Sequence, residues 1–86
     1  MKSTLKILFA DDDFKYSLVL KRFLEREGYE VTYTGNGTMA LKQFPVVKPD
    51  LVLLDINMPG LNGFEVAEKI REQDRHVCLL YTSDAA

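Results

Sequence analysis

Residues 49–63 have the sequence PDLVLLDINMPGLNG, and this stretch decides the fold. Its four consecutive apolar residues, 51–54, end abruptly at Asp55, and a proline–glycine loop follows at Pro59 and Gly60. A short, solid apolar run predicts a strand that is buried on both faces, as strands of parallel sheets are. We therefore expect a parallel sheet in which Asp55 ends one strand.

Three further segments also have strand character. Residues 5–10, LKILFA, form a second apolar run that ends at Asp11, Asp12 and Asp13. Residues 29–34, YEVTYT, are rich in aromatic and β-branched side chains and alternate apolar with polar positions, as an outer strand with one solvent-exposed face does. Residues 77–81 form a short apolar run near the end of the chain. The sequence thus predicts four strands.

Helical patterns lie between the strands. Residues 14–27 carry apolar side chains at three- and four-residue spacing, and Gly28 follows where a left-handed cap is needed. After a turn at Asn36, residues 38–44 predict a helix of about two turns that ends at Pro45. Asn62 and Glu65 have the spacing of a capping box and predict a helix through about residue 72.

The order of these elements is β-α-β-α-β-α-β. Such alternation with short links predicts an α/β fold with a doubly wound parallel sheet and right-handed crossovers. In such sheets, binding sites lie at the carboxyl ends of the strands.

Composition excludes several classes of protein. The 86 residues carry 11 basic and 13 acidic side chains, so the net charge of −2 gives no basic field for nucleic acid. With Cys78 as the one cysteine, no disulfide framework can form, which favours a cytoplasmic location. Because no apolar run approaches about 20 residues, we do not expect the chain to enter a membrane.

Acidic residues follow both apolar strands. Because the carboxyl ends of parallel strands lie at one edge of the sheet, we expect Asp11, Asp12 and Asp55 to converge. Close carboxylates repel one another, and a hard divalent cation such as Mg²⁺ offsets that repulsion. The arrangement suits in-line attack by Asp55 on a phosphoryl group. Asp13, by contrast, is expected to cap the following helix.

Three parts of the chain resemble the receiver domains of two-component response regulators. The matching segments are residues 8–13 (LFADDD), residues 49–63, and Asn36-Gly37 followed by Ala40-Leu41. The resemblance implies a flavodoxin-like sheet with strand order 2-1-3-4-5.

The resemblance also implies roles for individual residues. Asp55 would be the phospho-acceptor, and Asp11, Asp12, Asp55 and the backbone carbonyl of Asn57 would hold Mg²⁺. The phosphoryl donor would be a phosphohistidine of a sensor histidine kinase or phosphotransfer protein, and an effector domain could follow. Such a domain catalyses its own phosphorylation and dephosphorylation and turns over no external substrate, so it is not expected to be an enzyme in the usual sense.

The end of the chain departs from this family. Receiver domains continue past strand four with a Thr or Ser and then a fifth strand ending in Lys, whereas no lysine follows Lys69 here. We therefore interpret residues 1–86 as a partial receiver domain, truncated after about strand four, with Thr82 as its switch hydroxyl. Residues 78–86, CLLYTSDAA, match a translated transposon-type sequencing adapter, so we expect a non-native tail. Strand four would then be an exposed edge, and the polypeptide would be marginally stable or prone to aggregate.

Two alternative functions stay open at this level. Without the lysine, the domain could be a phosphorylation-silent interaction module. The spacing Asp11-x-Asp13 also resembles haloacid-dehalogenase-type phosphatases, in which the first aspartate, here Asp11, would be the nucleophile. Phe14, beside these aspartates, we expect to be a core anchor rather than a lid.

Overall fold

The computed structural model describes residues 4–82, in which four parallel strands alternate with three helices. These elements are β1 (Lys6–Ala10), α1 (Phe14–Arg26), β2 (Glu30–Thr34), α2 (Gly37–Val47), β3 (Leu51–Asp55), α3 (Gly63–Gln73) and β4 (Cys78–Thr82). The order confirms the predicted β-α-β-α-β-α-β arrangement. Of the segment predicted as a non-native tail, residues 78–82 form β4 and residues 83–86 lie outside the described part.

The strand order is β2-β1-β3-β4. Ala10 at the end of β1 pairs with Leu54 of β3, and Asp55 pairs with Thr82 of β4. From β1 the chain goes to β2 on one side, and it then crosses to β3 and β4 on the other side. The direction of the strand order therefore reverses between β1 and β3, and doubly wound sheets bind ligands at the carboxyl ends of the strands at this point.

Two apolar layers hold the helices on opposite faces of the sheet. The layer beneath α2 and α3 contains Leu8, Val52, Leu54, Val66 and Ile70, all fully buried. The layer beneath α1 is smaller and contains Ile7, Phe9 and Val31. Strand β1 supplies side chains to both layers, which explains why its sequence is apolar without alternation.

Side-chain caps fix where each helix begins. The Asp13 carboxylate accepts a hydrogen bond from the backbone N–H of Tyr16, and the Asn36 side chain caps α2 in the same way. Asn62 and Glu65 form the predicted capping box at α3, with each side chain bonded to the other's backbone N–H. These short-range contacts place the helix starts directly behind the carboxyl ends of the strands.

Helix α2 is longer than the sequence predicts. It continues through Pro45 and ends at Lys48, whose φ of 52° closes the helix in the left-handed region. Proline removes one backbone donor, but the N–H of Lys48 still bonds the carbonyl of Phe44, and the Phe44 side chain is buried. Tertiary packing thus outweighs the helix-breaking tendency of Pro45.

Helix α1 buries only part of its apolar stripe against the sheet. Ser17 is its fully buried residue, whereas Val19 is 69% and Phe23 is 56% exposed. The prediction that Phe14 is a core anchor is wrong, since its side chain is 62% exposed. Leu20 and Leu24 are the side chains of α1 that pack against the layer beneath it.

Strand β4 is an edge strand of the described sheet, next to β3, as predicted. Its residues carry no charge, and Leu80 and Tyr81 are about half exposed, at 50% and 45%. Tyr81 packs against Phe64 of α3, with ring centroids 4.8 Å apart, while Leu80 faces the α1 side of the sheet. Apolar surface therefore remains on both faces of this edge.

Within residues 4–82, each helix is too short or too polar to cross a bilayer.

Candidate functional site

Asp11 directly follows β1 and is fully buried. Its backbone N–H donates to the carbonyl of Thr34, which extends the pairing of β1 with β2 by one residue. Its carboxylate oxygen Oδ1 accepts a hydrogen bond of 2.8 Å from the N–H of Asp13. The strand pairing and this local bond together hold the Asp11 carboxylate at the edge of the sheet.

Asp55 is the last residue of β3 and is also fully buried. The N–H of Asn57 donates to its Oδ1 at 3.2 Å. Behind it, the first turn of α3 lies against the strand: the N–H of Gly63 donates to the carbonyl of Ile56 at 3.2 Å. A Cβ at Gly63 would lie only 2.6 Å from the Asp55 carbonyl oxygen, so glycine is what permits this close approach.

The three aspartates converge as predicted. One carboxylate oxygen from each of Asp11, Asp12 and Asp55 lies within 4.8 Å of the others, and Asp12 is exposed while the other two are buried. Oxygen ligands of an octahedral Mg²⁺ ion lie about 3 to 4 Å apart, so small side-chain rotations would bring this set to a shared ion. The donor set, all carboxylate with one side open to water, suits Mg²⁺ and leaves room for phosphate oxygens.

Two other predicted site residues lie beside this cluster. Asn57 is exposed in the loop that follows β3, where its N–H contacts Asp55. Thr82 is the register partner of Asp55 on β4, and its carbonyl accepts from the N–H of Ile56 at 3.0 Å. The Thr82 hydroxyl is shielded from solvent and makes no hydrogen bond within residues 4–82. Asp13 lies outside the cluster, as the helix cap of α1.

Tyr33 also lies beside this cluster, although it was not among the predicted site residues. Its hydroxyl donates a hydrogen bond of 2.7 Å to the backbone carbonyl of Asp11. The Tyr33 ring packs against Phe9 and Phe14, with centroid distances of 5.8 and 6.3 Å. A signal was available: Tyr33 is the penultimate residue of a strand that was predicted to pair in parallel near the acidic edge.

The environment of Tyr33 raises the pKa of its hydroxyl still further above neutral pH. Burial raises the pKa of the phenol above its ordinary value, the Ser17 hydroxyl opposes that rise, and the charges of Asp11, Asp12 and Asp13 add to it. The hydroxyl is therefore available as a hydrogen-bond donor under physiological conditions.

Comparison with known proteins places this geometry in context. The family model for the response regulator receiver domain matches residues 7–86. The chain is 43% identical over 68 residues to the alkaline phosphatase synthesis transcriptional regulatory protein PhoP of Bacillus subtilis, covering 79% of this chain and 28% of that protein. It is 35% identical over 72 residues to the sporulation initiation phosphotransferase F of the same organism, covering 84% of this chain and 58% of that protein. The chain thus spans less than two thirds of either relative.

A solved structure has the same arrangement. The response regulator protein TrrA from Thermotoga maritima, solved in complex with Mg²⁺ and BeF, superposes with a TM-score of 0.90 at 38% identity. The match covers 96% of this chain and 72% of that one. The likeness confirms the flavodoxin-like fold.

Proposed function

The chain belongs to the response regulator receiver domain family, and from this membership we propose that Asp55 is its phospho-acceptor. The donor is a phosphohistidine on a sensor histidine kinase or phosphotransfer protein. Asp11, Asp12 and Asp55, with the backbone carbonyl of Asn57, hold Mg²⁺ during the transfer. The domain serves only its own phosphorylation and dephosphorylation and turns over no separate substrate.

The convergence of the three carboxylates is the observation that carries this proposal. Asp11 and Asp55 are 44 residues apart in the sequence, yet their carboxylates and that of Asp12 lie within 4.8 Å at the β1–β3 switch point. Desolvating two carboxylates side by side is costly, and nothing in the packing of the core requires it. A cluster of this kind is expected where a cation and a phosphoryl group bind.

The chemistry follows from how Asp55 is held. A carboxylate oxygen of Asp55 forms a bond to phosphorus while the bond from phosphorus to the donor's imidazole nitrogen breaks, and the imidazole keeps the electron pair. The Asn57 N–H restricts rotation of the carboxylate, and the α3 start at Gly63 fixes the backbone behind it. When bound, Mg²⁺ offsets the negative charge that the aspartates share with the phosphoryl oxygens.

Thr82 is the proposed switch hydroxyl. It lies in register with Asp55 on the neighbouring strand, and its hydroxyl makes no hydrogen bond within the described residues. A phosphoryl oxygen on Asp55 would offer that hydroxyl an acceptor. Such a bond would couple phosphorylation to a shift of the outer strand β4.

The wider context of the domain is also a proposal. The domain is cytoplasmic, its partner is a sensor histidine kinase or phosphotransfer protein, and an effector domain could follow this segment. The segment itself binds neither nucleic acid nor membrane. Residues 1–86 would be a partial receiver domain with a non-native tail at residues 78–86, so the switch role assigned to Thr82 belongs to its position on β4, which the native residue fills in the parent protein. Extending the nucleotide sequence past the codon for Val77 tests that division directly.

Labelling with acetyl phosphate tests the function. The unsubstituted protein should take up phosphate with Mg²⁺ and lose that ability in EDTA. Asp55→Asn should abolish labelling. The matched control is Asp50→Asn at the opposite end of β3, where the side chain accepts a hydrogen bond from the N–H of Lys6, and it should label normally.

Three outcomes would contradict the proposal. Labelling that survives in Asp55→Asn but is lost in Asp11→Asn would indicate a phosphatase-type nucleophile at Asp11. Equal loss in Asp50→Asn would show that the effect is not specific to the site. A folded protein that takes no label would favour a phosphorylation-silent module.

A further inference from the structure

Tyr33 ties strand β2 to the backbone of the acidic cluster. Its hydroxyl lies 2.7 Å from the carbonyl oxygen of Asp11, a residue 22 positions away in the chain. The next residue of β2, Thr34, accepts a bond from the N–H of Asp11 at 3.2 Å. Strand β2 therefore contacts both polar groups of the Asp11 backbone.

The ring of Tyr33 is held firmly enough to position its hydroxyl. Phe9, fully buried in the layer beneath α1, packs against one part of the ring, and Phe14 packs against another. Phe14 is 62% exposed, so it covers Tyr33 from the solvent side. An aromatic side chain that is held between two others loses little further freedom when it donates a hydrogen bond.

The carbonyl that Tyr33 binds belongs to the peptide group between Asp11 and Asp12. Fixing the plane of that peptide restricts the direction in which the Cα–Cβ bond of Asp12 points. Asp12 is the exposed member of the carboxylate cluster, so it depends on its backbone for its position more than the two buried members do.

We propose that Tyr33 is a positioning residue for metal binding: its hydroxyl orients the Asp11–Asp12 peptide and so places the Asp12 carboxylate for Mg²⁺. This inference rests on the proposed function, because it assumes that the cluster binds a cation. It adds a residue from β2, a strand that supplies no carboxylate to the site.

The test removes the hydroxyl and keeps the ring. Mg²⁺ affinity is measured from amide chemical shifts during titration with MgCl₂, for the full chain and for Tyr33→Phe. Loss of the hydroxyl should weaken Mg²⁺ binding by a factor of about two up to about tenfold, since the net value of one hydrogen bond sets the upper limit on what it contributes to the position of Asp12. The matched control is Tyr29→Phe, which removes the same group beside the opposite end of β2 and should leave the affinity unchanged.

A second variant guards against a misfolded Tyr33→Phe. Phe14→Leu keeps the hydroxyl but loosens the ring from its exposed side, and it should weaken Mg²⁺ binding by a smaller factor. A purely structural role would lower the urea midpoint of Tyr33→Phe while its Mg²⁺ affinity stayed at the unsubstituted value.

The outcomes separate this inference from the proposed function. Suppose that the unsubstituted protein binds Mg²⁺ and labels at Asp55, but Tyr33→Phe and Phe14→Leu bind Mg²⁺ as tightly as it does. The role of Tyr33 is then refuted and the proposed function stands. If the unsubstituted protein binds no Mg²⁺, the role of Tyr33 and the proposed function are both refuted. Weaker binding in Tyr33→Phe with normal binding in Tyr29→Phe supports the inference.

Discussion

Gly63 offers a sharp test of how α3 supports the phospho-acceptor. A Cβ at this position would lie 2.6 Å from the carbonyl oxygen of Asp55 and 3.1 Å from its carbonyl carbon, whereas ordinary contacts begin near 3.4 Å. Both neighbours are backbone atoms of the buried strand β3, so neither can move without shifting the sheet. Gly63→Ala must therefore lift the start of α3 or displace Asp55.

The size of the effect follows from overpacking. Inserting a carbon into a filled site costs about 1 to 3 kcal/mol, and the helix preference of alanine offsets little of this at the first helical residue. With a urea m-value of about 1 kcal/mol/M for a domain of this size, the unfolding midpoint should fall by about 1 to 3 M. Because a small displacement of an attacking group can lower its rate strongly, labelling by acetyl phosphate should slow about tenfold or more.

Two glycine variants serve as controls for this prediction. A Cβ at Gly35 would lie 3.7 Å from the Tyr33 hydroxyl, an ordinary contact distance. The free energy of unfolding of Gly35→Ala should therefore be within about 0.5 kcal/mol of the parent value. A Cβ at Gly37 would lie 2.5 Å from a Val66 methyl carbon, so Gly37→Ala should lose stability but label at the parent rate while folded. Far-ultraviolet circular dichroism in urea gives the midpoints. The reasoning is refuted if Gly63→Ala is as stable as Gly35→Ala and labels at the parent rate.

Three further substitutions test other parts of the account. Asn62→Ala removes one half of the capping box at α3 and should cost about 1 kcal/mol in urea unfolding, whereas an unchanged midpoint would show that the box is not stabilising. Ile70→Ala opens a cavity in the fully buried layer beneath α3 and should cost about 2 to 5 kcal/mol, and a loss below 1 kcal/mol would contradict the described packing. Leu80→Lys adds a charge to the half-exposed edge strand β4 and should reduce self-association, measured by sedimentation velocity. Undiminished self-association would show that the chain associates through a different surface.

The parts of the fold that were predictable depend on short-range patterns. The short apolar runs of β1 and β3, bounded by turn signals, favour strands buried on both faces. The caps at Asp13 and Asn62 bond to backbone groups three residues away. The convergence of Asp11 with Asp55 followed from parallel topology alone. Neither inference required knowledge of side-chain packing.

The incorrect predictions concern features that depend on tertiary packing: the end of one helix and the exposure of one side chain. Pro45 stays inside α2, where Phe44 is buried against the core. Phe14 is exposed, whereas Leu20 and Leu24 of the same helix pack on the sheet. The contact from Tyr33 to Asp11 joins residues on different strands and depends on which way the ring leans between its aromatic neighbours. A pattern read along one segment does not contain that information.

The proposed function depends first on acceptance of the phosphoryl group by Asp55. The most direct measurement treats the protein with acetyl phosphate and Mg²⁺, reduces the acyl phosphate with borohydride, and maps the reduced residue by peptide mass spectrometry. We predict reduction at position 55 and at neither Asp11 nor Asp12. Reduction at Asp11, or none at any aspartate of the folded protein, would contradict the account.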